Sequence, residues 1–452
     1  MASLARIKQS AHRAGLEARA FRALRSAGVL GGDPPAVLLK VLSALKEFGP
    51  FGATPTIGAL KHPGQPAVAD RWGELTFAEL EERSNRTGNA LQARGLGPGS
   101  TIGILCRNHR VPLIAAFAAS RMGANVVWLN TGFSAPQLHE VAAREGVEFL
   151  VHDEAFSSLT EGLALKHGAV ACATGDPQLD PFDALVASGS PVAPKPPARP
   201  GRIVLLTSGT TGTPKGAPRP EPRGLTIPGA LLERLPLHRR EATVLGAPLF
   251  HGTGLVIALI TLSLGSKLVL RERFDPAEFL DDMERHHATG VCLVPVMLQR
   301  ILALGDEEIA GRNLQALKVV FCAGSALPAQ TASRAMDAFG DVVFNLYGST
   351  EVSVATLATP ADLRVAPSTV GKPALGCRVE LFDDAGRPTP LGEVGRVFVG
   401  TTSPFEGYTG GGTKDTINGM MATGDVGHFD AAGRLYIDGR DDEMIVSGGE
   451  NV

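Results

Sequence analysis

The sequence is poor in cysteine, in aromatic residues and in surplus charge, and these shortages exclude several classes of protein. Its 452 residues include five cysteines, and no two of them have the CxxC spacing of zinc or redox motifs. We therefore expect buried thiols in a reducing compartment, that is, a cytoplasmic protein. A formal net charge of −3 argues against a general nucleic-acid-binding protein, which usually carries a basic surplus.

Long hydrophobic runs are missing as well. The apolar stretch around residues 102–117 is interrupted by Arg107, His109 and Arg110, so it cannot span a membrane. The sequence is instead rich in glycine and proline, with 54 and 32 residues, which fall between apolar segments. This pattern is typical of a globular protein with many tight turns, and the length allows roughly three domain-sized units.

Residues 1–50 are predicted to form a basic helical extension. Within the first 30 residues, six lysines and arginines stand against one acid, Glu17, and apolar residues recur at helical spacing. Such a helix could contact an anionic membrane surface or an acidic partner. The alternative is a solvated helix that packs on the main body.

Residues 51–438 are predicted to form the main α/β body. Strands and helices alternate from Pro66 onward, with a capping box of Thr76 and Glu79 at one helix start, and this alternation favours mostly parallel sheets. The proline-dense segment 191–200 separates two such series. From about Thr369 to residue 438, short strands with Gly and Asp turns predict a small antiparallel barrel or sheet.

The segment Thr207–Gly216, TSGTTGTPKG, follows a predicted buried strand and is a candidate phosphate loop. Its glycines let the backbone approach phosphate oxygens, its hydroxyls and N–H groups donate to them, and Lys215 supplies a positive charge. It is not a Walker A loop, because Pro214 and Gly216 stand where that motif requires Gly and Ser or Thr. Kinases and GTPases of that class are therefore excluded.

Further motifs follow in a fixed order along the chain. They are APLFHGTG at 247–254, VPVML at 294–298, AGS at 323–325, NLYGSTE at 345–351, TGD at 423–425 and GRDD at 439–442. With the phosphate loop, they resemble the signatures of the adenylate-forming superfamily of acyl-CoA synthetases, luciferases and peptide-synthetase adenylation domains. The bacterial fatty-acid–CoA ligases are the most similar members, and the resemblance covers roughly 54–452.

The resemblance implies the large N-terminal domain of such an enzyme, with two parallel-rich sheet subdomains, a small β-barrel-like subdomain and a hinge at 439–452. It implies ATP, Mg²⁺ and CoA as cofactor and co-substrates, Thr350, Glu351 and His251 as catalytic residues, and Thr207 and Glu351 at the metal. The implied nucleotide-binding residues are Thr207, Ser208, Gly209, Thr210, Thr211, Gly212, Lys215, Gly324, Ser325, Asn345, Tyr347, Gly348, Asp425 and Arg440. Asp442 would be the hinge pivot, and His251, Val296 and Ala323 would line the substrate tunnel.

Two features depart from the family pattern. Many long-chain ligases carry a tryptophan gate shortly after the histidine, whereas the tryptophans here are Trp72 and Trp128. Family members also continue into a small domain with a catalytic lysine, whereas the last lysine here is Lys414. We therefore expect an N-terminal-domain form or a natural truncation that binds ATP or acyl-AMP but adenylates poorly.

Three functions remain open at this point. The first is an AMP-forming acid–thiol ligase that joins a fatty acid to CoA. The second is a fatty-acyl-AMP ligase that loads a carrier protein, although the segment between Val399 and Thr423 has little room for the insertion such enzymes often carry. The third is a non-catalytic nucleotide or acyl-ligand binding protein.

Overall fold

The structure is a computed structural model. It describes residues 2–173, 180–207, 214–219, 224–402, 405, 407–409, 411–441, 446–447 and 450–451. Among these residues, no helix is both long enough and apolar enough to cross a bilayer.

The strands form two large sheets, a smaller sheet and a terminal pair. In chain order they are β1 (Pro66–Asp70), β2 (Gly73–Thr76), β3 (Thr101–Leu105), β4 (Asn125–Trp128), β5 (Phe149–Asp153), β6 (Ala169–Cys172), β7 (Ile203–Thr207), β8 (Lys215–Arg219), β9 (Ala242–Leu245), β10 (Lys267–Leu270), β11 (Gly290–Leu293), β12 (Val319–Cys322), β13 (Val343–Ser349), β14 (Ser353–Ala358), β15 (Lys372–Pro373), β16 (Arg378–Phe382), β17 (Gly395–Gly400), β18 (Thr416–Ile417), β19 (Met420–Phe429), β20 (Leu435–Arg440), β21 (Val446–Ser447) and β22 (Glu450–Asn451).

Helices alternate with these strands. They are α1 (Ala2–Ala27), α2 (Pro35–Gly52), α3 (Thr54–Lys61), α4 (Phe77–Ala93), α5 (Arg110–Arg121), α6 (Ala135–Arg144), α7 (Ser157–Thr160), α8 (Pro181–Ser188), α9 (Thr226–Leu232), α10 (Gly252–Ser263), α11 (Pro276–Arg285), α12 (Pro295–Leu302), α13 (Asp306–Ala310), α14 (Ala329–Phe339) and α15 (Pro360–Val365), with a short 3₁₀ turn at Glu154–Phe156.

The two large sheets are mainly parallel. One has nine strands in the order β15-β14-β13-β12-β11-β9-β10-β1-β2, and the other has six in the order β6-β5-β3-β4-β7-β8. Strands such as β3, β11 and β12 are buried along their whole length, because helices cover both faces of a parallel sheet. The alternation in the sequence therefore predicted this architecture correctly.

The third sheet is antiparallel and contains β16, β17, β18, β19 and β20. Its apolar residues form their own core, which includes Val379, Val397 and Leu435. The prediction of a small antiparallel unit after Thr369 is confirmed. Its last strand, β20, extends to Arg440, two residues beyond the predicted boundary at residue 438.

The capping box predicted at Thr76 and Glu79 is present, and a second one lies at the start of α6. Thr76 accepts a hydrogen bond from the Glu79 amide, and the Glu79 carboxylate accepts one from the Thr76 amide at 2.7 Å. Ser134 and Gln137 form the same arrangement at the start of α6. Each box satisfies backbone N–H groups that the first helical turn leaves unpaired, so the local sequence sets where these helices begin.

The N-terminal helices pack on the main body. Ala20, Leu24 and Ala27 of α1 are at most 4% exposed and belong to the same apolar core as Leu231 of α9. Helix α2 is kinked at Gly49, where φ is 69° and ψ is 172°, close to the expected start of the main body. These contacts favour the packed-helix alternative for the second half of α1.

Candidate active site

A cavity of about 1000 Å³ opens where several parallel strands of the two large sheets end. Thr207 ends β7, and Ala247, Val294 and Ala323 come within two residues of the ends of β9, β11 and β12; all four line the cavity. Residues at the carboxyl ends of parallel strands converge on one edge of a sheet, the usual place for a ligand in open α/β folds. Motifs that are far apart in the sequence therefore lie at strand ends that meet at the cavity.

The two ends of the phosphate loop are held in place. Strands β7 and β8 are antiparallel and pair Thr207 with Lys215, so these two residues lie side by side. The Thr207 hydroxyl donates to the backbone oxygen of Lys215 at 3.2 Å. The Thr409 amide donates to the Gly216 oxygen at 2.8 Å, and a Cβ at Gly216 would lie 2.4 Å from the Thr409 hydroxyl. Only glycine fits this close approach.

Five predicted loop residues and the predicted hinge residue fall outside the described part of the chain. They are Ser208, Gly209, Thr210, Thr211 and Gly212 of the loop, and Asp442 of the hinge.

Tyr347, Asp425 and Arg440 form one hydrogen-bonded group on the cavity wall. Asp425 and Arg440 lie opposite each other on β19 and β20, and the guanidinium donates to the carboxylate at 2.9 Å. The Tyr347 hydroxyl, on β13, donates to the other carboxylate oxygen of Asp425. Burial, together with the Asp425 charge, raises the pKa of Tyr347 well above its ordinary value, so the phenol remains a donor. The group joins the third sheet to the nine-stranded sheet.

Glu351 is a buried carboxylate, 8% exposed, on the same wall. The Tyr408 hydroxyl donates to one carboxylate oxygen at 2.6 Å and the Ser349 hydroxyl to the other at 2.8 Å. Burial opposes ionisation, but the charge of Lys414 and these two hydrogen bonds outweigh it and hold the pKa of Glu351 below its ordinary value. Glu351 is therefore favoured in its ionised form, and its carboxylate oxygens keep lone pairs for further contacts.

Local contacts and backbone conformation explain why glycine stands at two positions of this wall and how the Asn345 amide is oriented. A Cβ on Gly348 would lie 1.9 Å from the Ser353 oxygen, so this position near the end of β13 accepts only glycine. Gly324 has φ of 95°, a left-handed conformation that favours glycine. The Asn345 side chain donates to the Thr369 oxygen at 3.3 Å, which orients its amide. Ser325, Thr350 and Gly324 all line the cavity.

His251 lies beside the apolar part of the cavity. It is the residue before α10, and its ring centroid is 4.5 Å from that of Phe250. Lining residues occur from the first residue of α10 to the last, so a broad face of the helix follows the cavity over its whole length. These positions include Gly252, Leu255, Val256, Leu259, Ile260 and Ser263.

The tunnel prediction needs one correction. Ala323 lines the cavity, as expected. Val296 does not: its side chain is 41% exposed in the first turn of α12, and Val294, just before the helix, lines the cavity instead. Successive helical side chains differ by about 100° in direction, so a residue two positions farther along faces away.

The four buried residues Cys106, His109, Asp153 and Cys172 have ligand atoms within 4.8 Å of one another. The Val111 amide, which can only donate, faces Nδ1 of His109 at 3.3 Å, and Nε2 of His109 is 2.8 Å from Asp153. Because Nδ1 accepts from this amide, the ring proton lies on Nε2 and donates to Asp153, which leaves neither nitrogen with a free lone pair for a metal. Burial raises the pKa of both thiols, in agreement with the expectation of inert buried cysteines.

Comparisons with known proteins agree with this geometry. A family model described as "AMP-binding enzyme" matches residues 57–409, most of the chain. The chain belongs to the AMP-binding enzyme family. A feruloyl-CoA synthase of an Amycolatopsis species is 31% identical over 416 residues, covering 89% of this chain and 81% of the relative. The medium/long-chain-fatty-acid–CoA ligase FadD8 of Mycobacterium tuberculosis is 29% identical over 427 residues, covering 88% and 72%.

A solved structure gives the same picture. An o-succinylbenzoate CoA synthetase of Bacillus subtilis, bound to a product analogue, superposes with a TM-score of 0.77 at 25% identity. The match covers 88% of this chain and 80% of that one. The protein is therefore a member of the adenylate-forming CoA ligases, enzymes that use ATP and CoA, and its α/β architecture is that of this family.

Sequence reasoning missed two residues that line this cavity. Tyr408, one of three tyrosines in the chain, donates to Glu351, and Lys215 Nζ lies 5.6 Å from the centre of its ring. Lys414 lines the cavity and donates to the Thr423 oxygen at 2.9 Å. Both lie between motifs, and the only local signal was an isolated aromatic and an isolated lysine shortly before the third signature.

Proposed function

We propose that this chain is the ATP- and acyl-binding part of a fatty-acid–CoA ligase. The observation that carries the proposal is a single cavity with two chemically different walls. One wall presents Lys215, Glu351 and Asp425, groups suited to a nucleotide and its phosphates, and the other is the apolar face of α10. His251 stands where α10 begins, next to the junction of the two.

The size of the apolar wall favours a long aliphatic acid over a small aromatic one. A helix of 12 residues is about 18 Å long. An extended chain advances roughly 1.2 Å per backbone bond, so this wall would accommodate a tail of about a dozen carbons or more. FadD8 is described as a medium/long-chain ligase, whereas other relatives, such as the feruloyl-CoA synthase, are described by aromatic acids.

The nucleotide wall has residues for each part of ATP. The Asp425 carboxylate would accept the ribose hydroxyls, with Arg440 beside it, and the Tyr347 ring would offer a face for adenine. The phosphate loop with Lys215 would hold the phosphates. The oxygen donors of Glu351 and Thr207 suit Mg²⁺, a hard cation that would neutralise phosphate charge when bound.

The reaction would proceed in two displacements. A carboxylate oxygen of the acid attacks the α-phosphorus of ATP, a P–O bond forms, and pyrophosphate leaves. The CoA thiol, having lost its proton, then attacks the acyl carbon, and AMP leaves with the former carboxylate oxygen. This chain would contribute positioning and charge neutralisation in the first step, in which two anions must meet.

The test uses probes that do not depend on turnover. We expect a non-hydrolysable acyl-sulfamoyl-adenosine with a dodecanoyl tail to bind more tightly than its feruloyl counterpart, because a better-filled apolar wall buries more surface. Calorimetric titration measures both affinities, and tighter binding of the feruloyl probe would contradict the fatty-acid assignment. Thioester formation from preformed dodecanoyl-AMP with CoA or with a carrier protein then separates a CoA ligase from a carrier-loading enzyme. Failure with both thiols would favour a binding protein.

We also propose a peripheral contact of the N-terminal extension with an anionic membrane; the sequence suggested residues 1–30 for it, whereas the exposed apolar side chains that support it lie on α2. Leu38, Leu39 and Leu42 of α2 are 41%, 68% and 62% exposed, and Lys40 is exposed among them. Apolar and basic side chains on one helix are typical of interfacial binding. Co-sedimentation with phosphatidylglycerol vesicles should exceed that with phosphatidylcholine vesicles and should fall for Leu39→Glu. Equal sedimentation with both vesicles would contradict the contact.

A further inference from the structure

The wall of the cavity includes residues that precede the segment matched by the family model. Leu24 of α1, Val29 of the connector between α1 and α2, and Phe51 at the end of α2 all line it. The match begins only at residue 57. Leu24 and Phe51 are at most 4% exposed, so these side chains are part of the core rather than of a loose arm.

The N-terminal helix is fixed to α9 by polar contacts. The Glu17 carboxylate accepts from the Leu225 amide at 3.0 Å and from the Thr226 hydroxyl at 2.9 Å. Farther along the interface, Arg19 pairs with Glu233 at 2.9 Å. Three contacts along one helix pair fix both the position of α1 and its rotation.

The position of α1 relative to α10 follows from two backbone hydrogen bonds. The Arg239 amide donates to the Ala27 oxygen at 3.0 Å, and the next amide, Arg240, donates to the Leu264 oxygen at 3.3 Å. Ala27 is the last residue of α1, and Leu264 directly follows the last residue of α10. The end of α1 therefore lies at the C-terminal end of α10, the opposite end from His251.

The connector that carries Val29 is also held. Lys61 Nζ donates to the Val29 oxygen at 2.8 Å and forms an ion pair with Asp33 at 2.8 Å. The Val29 side chain is half-buried against the core cluster that contains Leu24. Leu24 and Val29 therefore present a fixed apolar surface to the cavity.

We propose that Leu24 and Val29 close the far end of the acyl arm and so set the longest tail that binds. The proposal rests on the fatty-acid function above. An acyl group whose carboxyl carbon lies near His251 and whose tail follows α10 would reach these two side chains at its methyl end. Each methylene of the tail up to that point becomes buried, which raises the binding affinity about fourfold. The next methylene meets a packed wall.

The test measures the affinity of acyl-sulfamoyl-adenosines with tails from hexanoyl to octadecanoyl. We expect Leu24→Ala, which removes three carbons from the wall, to move the tightest-binding probe to a longer tail. Relative to the probe that binds the unaltered chain most tightly, the longer-tailed probe should gain about tenfold or more in affinity, since two to three additional methylenes become buried. Leu24→Trp should move the optimum to a shorter tail. The affinity for AMP, which has no tail, should stay the same.

Controls separate a change of pocket length from a loss of stability. Leu235 is 1% exposed in the same core cluster and is not among the cavity-lining residues, so Leu235→Ala should lower the melting temperature without moving the optimum. If Leu24→Trp fails to fold, Val29→Ala and Val29→Trp in the connector give the same comparison. An unchanged optimum in folded Leu24 and Val29 variants that still bind AMP would overturn this proposal alone. Loss of binding of every acyl probe to the unaltered chain would contradict the fatty-acid function instead.

Discussion

The two ends of the cavity are stabilised in different ways. At the nucleotide end, Tyr347, Asp425 and Arg440 hold one another through directional hydrogen bonds between strands of two sheets. At the far end, polar contacts of Glu17 and Arg19 hold α1 on α9, but the side chains that form the wall, Leu24 and its neighbours on α9 and α10, make apolar contacts, which many side chains of similar volume can supply. The first end therefore requires particular residue types, whereas the second requires only a shape. Chemistry and substrate length would be set by different parts of the chain.

Glu351→Gln should distinguish the contributions of the two ends of the cavity most clearly. We expect ATP–pyrophosphate exchange to fall about 10²–10³-fold, because a preorganised charge that offsets phosphate repulsion is removed. Binding of an acyl-sulfamoyl-adenosine, which lacks the pyrophosphate, should change little. Radiolabel exchange and calorimetry measure the two quantities.

Glu307→Gln is the matched control, since Glu307 is exposed in α13, away from the cavity lining, and its loss removes the same charge. It should leave both quantities unchanged. If Glu351→Gln weakened the acyl probe as strongly as it slowed exchange, Glu351 would be supporting the fold of the site rather than the pyrophosphate-forming step.

Sequence reasoning predicted the nucleotide end because its residues lie in short, contiguous motifs. Asn345–Glu351 is a single strand end with its turn, and the Gly348 position is dictated by a contact only a few residues away, at Ser353. The parallel sheets could be predicted equally well, because alternating strands and helices in a sequence indicate a parallel sheet. Asp425 was found because a glycine and a threonine precede it.

The far end could not be predicted in this way. Leu24 and Ile260 come together only after folding, and a leucine in an apolar helix carries no mark of the cavity it lines. Val296 was chosen for the tunnel because it stands in a motif, but the direction of its side chain depends on where α12 begins. Tyr408 was missed because its partner, Glu351, is 57 residues away.

The close packing of α9 on α1, which supports the far end of the cavity, should be disrupted when one methyl group is added at Gly229. A Cβ on Gly229 of α9 would lie 2.5 Å from the Ala20 Cβ and 2.6 Å from its Cα, atoms that cannot rotate away. We expect Gly229→Ala to destabilise the fold by about 1–3 kcal/mol, because overpacking outweighs the gain in helix propensity. Urea unfolding measures this change.

The control lies on the other helix of the same pair. Gly15 of α1 is exposed, and no atom of the described residues beyond its own helix turn and chain neighbours lies within 4 Å of the place that a Cβ would occupy. Gly15→Ala should therefore be neutral or stabilise by up to about 1 kcal/mol. Equal stability of Gly229→Ala and the unaltered protein would mean that α1 is not closely packed on α9, and the fixed wall at the far end would lose its basis.

The smallest expected effect is a pH shift at the nucleotide end. The folded-state pKa of Glu351 is depressed, so the stability contributed by its ionised form is complete above the ordinary value of 4.5 and is lost as the pH falls through the folded value. Tyr408→Phe removes one hydrogen bond that favours the ionised carboxylate, which should raise that pKa.

Mg²⁺-dependent ATP binding should weaken at acid pH, where Glu351 becomes protonated, and this acid limb of the pH profile should move to higher pH in Tyr408→Phe. Binding at neutral pH should change little, because the carboxylate is ionised there in both proteins. Tyr436→Phe removes a hydroxyl that donates to Asp430 at 3.2 Å, on a residue that does not line the cavity, and should leave the limb in place. A limb that stays fixed in Tyr408→Phe would mean that the charge of Lys414, the group that lowers this pKa most, suffices to keep Glu351 ionised.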